Sequence, residues 1–382
     1  MSEPGIVALG TWSGGRFMHF GEPLDEDRLV ALLTPAAPLN TLLSADVYGA
    51  GEGDRLLARA IAGSQREDVC VIGAVGHDFY RGERNGAKGY PRFTDPALRA
   101  PGEYASYLRM ATEQSLERCG IDQFDVLLLH NPDRTGYTSE PVWEGMAALR
   151  DAGLTRAIGV APGPANGFTL DVIGCFERFG GLIDWAMLIL NPLEPWPGEL
   201  ALAAATAADV RVIARVVDYG GLFWGDVLSG HEFRPDDHRA FRPAGWVEAG
   251  LERIDGMRPI AERHGLTLAQ LACEWDLAHP AISCVAPTLI QESGEHARPI
   301  EDKRAELAAL PDEQPLSAAE IGEIRAVGDN TGRMALKGAA PDYEGTELPD
   351  RWPLGEQHLE IAARWQIDPQ RDLRAHAAGA AR

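Results

Sequence analysis

The chain has 382 residues, 45% of them hydrophobic, and sets 57 Asp and Glu against 35 Lys and Arg for a formal charge of −22. An acidic balance with no basic cluster disfavours nucleic acid and anionic membrane surfaces, because phosphate recognition needs grouped cations. No apolar run is long enough for a membrane span and MSEPGIVALG lacks the features of a secretion signal, so a cytoplasmic protein with a small-molecule substrate is expected.

In chain order, the strand expectations are VALG (7–10), LNTLLSA (39–45), VCVIGAV (69–75), FDVLLLH (124–130), RAIGVA (156–161), DWAMLIL (184–190), VRVIARVV (210–217) and ISCVAP (282–287). Amphipathic patterns separate them: DEDRLVALL, GDRLLARAIA, PGEYASYLRMATEQSLERCG, SEPVWEGMAALRDAG, TLDVIGCFERFG, PGELALAAATAA and GWVEAGLERIDGMRPIAERHG. Asp or Ser often precedes a helical run and Gly often follows, as caps do. Strict alternation predicts a parallel sheet, and eight strands are the number that closes a (β/α)8 TIM barrel. The rival is an open doubly wound sheet, but GTWSGGR is a poor match to GxGxxG. The barrel is expected over 1–328, with 329–382 as an extension able to cover its mouth. Two long loops, 77–103 and 218–243, follow strands and so fall on the C-terminal face, where barrel active sites lie. The cysteines Cys70, Cys119, Cys175, Cys273 and Cys284 are odd in number, scattered and in apolar contexts, which predicts reduced, buried thiols and no zinc site. The loop string HEFRPDDH, with His231, Glu232, Asp236, Asp237 and His238, reads as solvated charge rather than a metal site.

ADVYGAGEGDRLLARAI, FDVLLLHNPD, AGLTRAIGVA, ILNPLEPW, VIARVVDYGGLFWG and AERHGLTLAQLACEWDLAHPAISCVAP come in an order and spacing that resemble the aldo-keto reductases over about residues 5 to 330. The resemblance implies a barrel whose mouth gathers an Asp, a Tyr, a Lys and a His, the Tyr protonating a carbonyl oxygen while NAD(P)H delivers hydride. Tyr48 matches the tyrosine and His130 the histidine, and these are the expected catalytic groups. Leu43 stands at the aspartate position and Ala74 at the lysine position. Without a neighbouring ammonium, and next to apolar groups, a phenol keeps a high pKa.

The implied nicotinamide anchors differ too. Ala161 and Pro162 replace Ser-Asn, Met187 a glutamine and Arg215 a ring-stacking aromatic. Thr288 begins the phosphate-gripping segment, where Arg298 and Lys303 are the available cations. No cofactor is therefore expected on the leading reading, and NADP(H) on the alternative. Substrate contacts are expected from Trp12, Asp46, His77, Asn191, Arg215, Asp218 and Lys337, the last from the extension, where it would supply the lost ammonium. Asp46, two residues before Tyr48, would share its side of an extended segment. Three functions follow: a proton-transfer enzyme of isomerase or lyase type on a small carbonyl or sugar-like, or anionic, substrate; an NAD(P)(H)-dependent oxidoreductase with displaced anchors; and a non-catalytic binding barrel.

Overall fold

The computed structural model describes residues 3–86, 89–163, 168–332 and 343–374. Its strands are β1 Ala8–Gly10, β2 Thr41–Leu43, β3 Cys70–Val75, β4 Phe124–His130, β5 Thr155–Ala161, β6 Trp185–Ile189, β7 Arg211–Arg215 and β8 Ile282–Ala286. They pair in sequential order, each parallel to the next. A parallel bridge between Val7 and Val285 joins the last strand to the first, the Val285 amide donating to the Ile6 carbonyl at 2.8 Å. This is the expected (β/α)8 barrel.

Alternation along each strand sorts the side chains. Leu43, Ile72, Ala74, Val126, Leu128, Ala161, Met187, Ile213 and Ala286 form an apolar cluster inside the ring. Their sequence neighbours Leu42, Val71, Val75, Leu127, Leu129, Val160, Leu188 and Val212 belong to a second cluster, shared with the helices. Burial on both faces explains why strands such as FDVLLLH are almost continuously apolar. Each buried Leu, Val or Ile contributes about 1.5–3 kcal/mol. Gly159 is required by a close approach: a Cβ there would lie 2.2 Å from the Trp185 carbonyl oxygen and 2.7 Å from the Leu128 side chain.

Helices start and stop where the caps are. The Asp25 side chain accepts from the Arg28 amide at the start of Glu26–Leu33, and left-handed Gly120 ends Tyr104–Cys119. Between β7 and β8 the chain forms two helices, Trp246–His264 and Leu268–Leu277. The second shows no amphipathic period in the sequence because nearly all of it is buried, from Ala269 through Asp276. Among the described residues no helix is long and apolar enough to cross a membrane.

After the helix Ala318–Val327, Asn330 pins the loop beyond β6: its Oδ1 accepts from the Trp196 amide at 2.9 Å and its Nδ2 donates to the Trp196 carbonyl at 2.8 Å. The described part of the extension lies against the helix that follows β5, Thr169–Phe179. There Arg364 pairs with Glu177 at 2.6 Å, His358 with Asp171 at 2.9 Å, and Trp352 stacks on Phe168 with centroids 4.6 Å apart.

Candidate active site

The interior side of the strands leads to the C-terminal mouth. His130 lies two residues past Leu128 and Arg215 two past Ile213, so both continue the inward-facing rows. Tyr48 arrives differently. The Tyr48 amide donates to the Ala45 carbonyl at 3.0 Å, and left-handed Gly49, Ala50 and Gly51 then reverse the chain into the helix Glu52–Ile61. This turn brings the phenol ring back over the barrel interior. It stacks on Phe17 at 6.4 Å and meets Trp12 and His130 edge-on at 6.3 and 5.9 Å. The Trp12 indole folds over Gly10, where a Cβ would sit 2.4 Å from its ring carbons, and its Nε1 donates to the Thr288 hydroxyl at 3.3 Å.

Leu43 and Ala74 belong to the apolar cluster on which Tyr48 packs. Burial accordingly pushes the Tyr48 phenol up to about 12, with Arg215 as the cation that opposes the rise. Burial also holds His130 well below the ordinary imidazole range, helped by His77, Arg92 and Arg215; its Nδ1 is buried without a partner. Both groups are thus neutral at pH 7.

His77 stands beside them, its ring 5.2 Å from that of His130. A proton on Nδ1 lets it donate to the Tyr90 carbonyl at 3.0 Å while Nε2 accepts from the Asn131 side-chain amide at 3.2 Å, but it leaves the Arg92 Nη1, 3.2 Å from Nδ1, without an acceptor there. Burial and Arg92 depress this imidazole to about 3. An imidazole kept neutral in the fold binds fewer protons than in the unfolded chain between about 3 and 6.5, so its share of stability is lost as pH falls through that window. Each such histidine contributes a slope of about 1.4 kcal/mol per pH unit. Urea unfolding at pH 7, 6 and 5 is therefore expected to show a shallower acid loss in His77→Gln than in the wild type; parallel slopes would remove the argument.

Arg92 is a mouth residue that sequence reasoning missed. The 77–103 loop folds back on itself through an antiparallel bridge between His77 and Arg92, and the Arg92 Nε donates to the Asn131 carbonyl. Buried Asp78 braces the turn, accepting from the Tyr80 and Arg81 amides at 3.0 Å and pairing with buried Arg99. No periodicity in a Gly/Pro-rich loop signals such a placement.

Other expected contacts lie elsewhere. Asp46 does not share the mouth with Tyr48. It is fully buried, both carboxylate oxygens lack partners, and the charges acting on it are those of Asp54, Arg118 and Asp78. Two residues earlier, the Ser44 hydroxyl donates to Asp54 at 3.3 Å, which marks the outward side of this segment. Burial holds the Asp46 carboxyl well above the usual carboxylate range. Asn191 is used internally: Oδ1 accepts from the Leu193 and Glu194 amides at 2.9 Å and Nδ2 donates to the Val216 carbonyl at 3.0 Å. Asp218 ties two loops, accepting from the Gly221 amide at 2.8 Å and the Thr288 amide at 2.7 Å. Lys337 lies outside the described residues. In the 218–243 loop, Asp237 binds Arg239 and the Gly21 amide, and the His238 amide donates to the His19 carbonyl.

Arg215 donates through Nη2 to the Pro162 carbonyl at 3.1 Å and the Gly163 carbonyl at 2.7 Å, and its Nε is buried without a partner. Met187 is part of the interior cluster. Lys303 is fully buried, its Nζ 2.6 Å from both Asp226 and the Ile290 carbonyl. Arg298 pairs with Glu306 and donates to the Trp224 carbonyl at 3.1 Å.

A closed parallel barrel with a phenol and an imidazole at its C-terminal mouth defines a class of barrel enzymes. The aldo/keto reductase family model matches residues 7–326, and the chain belongs to that family. A probable voltage-gated potassium channel subunit beta from Arabidopsis thaliana is 24% identical over 310 residues, 75% of this chain and 85% of the relative. An aldo-keto reductase from Mycolicibacterium smegmatis is 27% identical over 261 residues, 65% of this chain and 78% of the relative. Among solved structures, the glycerol dehydrogenase of Gluconobacter oxydans superposes with a TM-score of 0.65 at 22% identity, covering 84% of this chain and 90% of the other. An aldo/keto reductase from Klebsiella pneumoniae, solved with NADP and acetate, gives 0.55 at 20% identity, covering 84% and 90%.

Proposed function

We infer that this aldo/keto reductase barrel catalyses proton transfer, of isomerase or lyase type, on a small carbonyl or sugar-like substrate. The observation that carries the reading is Arg215 at the end of β7. A guanidinium anchored by the Pro162 and Gly163 carbonyls stands where the resemblance implies an aromatic stacked on a nicotinamide ring. The remaining anchor positions fit that group poorly. Ala161 and Pro162 have no side-chain hydrogen-bonding groups, Met187 fills the barrel interior, and Lys303 and Arg298 are already ion-paired.

The side chains present suit enolisation. A neutral phenol donates a hydrogen bond to a carbonyl oxygen and stabilises the charge that grows there as a neighbouring C–H bond breaks. The Tyr48 phenol, with a pKa near 12, keeps its proton at neutral pH. His130 accepts the carbon-bound proton and returns it, to the same carbon or a neighbouring one.

A second reading, a nicotinamide-dependent oxidoreductase with displaced anchors, is favoured by the NADP-bound Klebsiella relative. Incubating the protein with a panel of small carbonyl compounds and sugars in D2O, without added nucleotide, separates the two. Deuterium appearing next to a carbonyl, read by NMR, supports proton transfer. NAD(P)H oxidation by the same compounds with no exchange supports the second.

A further inference from the structure

The chain is strongly acidic, and its fully buried arginines are neutralised. Arg99 pairs with Asp78, and Arg239 with Asp237 and Glu292; mostly buried Arg118 pairs with Asp54. Several half-buried arginines depart from this pattern, Arg242, Arg253 and Arg304 included, and two more, Arg92 and Arg215, act on His130 at the mouth. Among the described residues Arg215 has only carbonyl partners, Pro162 and Gly163, and its buried Nε–H has none. Arg92 donates to the Asn131 carbonyl and touches His77. Neither has an ion pair among the described residues. The carboxylate that acts most on Arg92, Asp133, is occupied by the Thr94 hydroxyl at 2.6 Å and the Gly136 amide at 2.8 Å. The side chains around them, Tyr48, His77, His130 and Asn131, are neutral donors and acceptors.

A cation left without a counter-charge in a desolvated place is costly, and here the cost recurs twice around one imidazole. A ligand that brings the missing charge removes it. We propose that Arg92 and Arg215 clamp an oxyanion of the substrate, which is therefore an anionic carbonyl compound carrying a carboxylate or phosphate close to its carbonyl carbon. The clamp rests on the proton-transfer reading for the role of the carbonyl, but not for binding. It also supplies what His130 lacks. The cations that help depress its basicity are the two that the anion offsets, so substrate charge readies the base only when substrate is present.

The test uses the full-length protein with malonate, inorganic phosphate and neutral glycerol as probes, followed by calorimetry. Malonate or phosphate is expected to bind and glycerol not, with affinity falling as salt rises. Whichever anion binds more tightly tells carboxylate from phosphate. Arg215→Met and Arg92→Met are each expected to weaken it by about 10–100-fold, the loss of charge-assisted hydrogen bonds. Arg215→Lys, which keeps the charge but not the fork, falls between. If Arg215→Met does not fold, Arg92→Met and Arg215→Lys decide the matter. Anion affinity unchanged in these variants, no binding of either anion, or glycerol binding as well as the anions overturns the clamp. Because binding is read without turnover, the clamp can fail while deuterium exchange persists, and exchange can fail while the clamp holds.

Discussion

Tyr48→Phe is expected to slow solvent-deuterium exchange into a responsive substrate by about 10²–10⁴-fold, the usual contribution of a positioned acid–base group. The melting temperature should barely move. The ring keeps its contacts with Phe17, Trp12 and His130, and the hydroxyl is not among the buried polar atoms left without a partner. Loss of activity without loss of fold would place the phenol at the reacting atoms. An exchange rate within a factor of about two of wild type would put the chemistry on another group and end the proton-transfer reading in this form.

The largest effect on stability is expected at Arg239. Its guanidinium bonds Asp237 through Nε at 3.0 Å and Nη2 at 2.8 Å, Glu292 through Nη2 at 3.0 Å, and the Gly220 carbonyl at 3.1 Å. Asp237 also accepts from the Gly21 amide at 2.8 Å. One buried cation therefore joins the loops after β1, β7 and β8. Arg239→Leu strands two buried carboxylates, and removing one partner of a buried pair costs about 3–5 kcal/mol. Urea unfolding should show that loss, and a change under about 1 kcal/mol would mean that these carboxylates are hydrated and the loops are not joined through them.

Much of the molecule was legible in its sequence, for identifiable reasons. The strands announced themselves because both faces are buried, and Leu43, Ala74, His130 and Arg215 could be placed because they continue or lie within strand rows of period two. The same rule misled at Asp46. β2 ends at Leu43, and by Val47 the backbone is already helical, so Asp46 and Tyr48 are not successive residues of one extended face. Arg92 was invisible because its position depends on a bridge to His77 and a carbonyl of another loop. Asn191 and Asp218 looked like substrate contacts because polar side chains follow strand ends. Only their hydrogen bonds show that the loops consume them.

The pinning of Trp196 by Asn330 bears on how the protein is made. A polypeptide leaves the ribosome amino end first, and all eight strands are synthesised by Ala286, forty-four positions before that asparagine. The ring can thus close on the nascent chain while the edge beyond β6 is still loose. Fastening of that edge would then come after closure of the scaffold, as a separate later step.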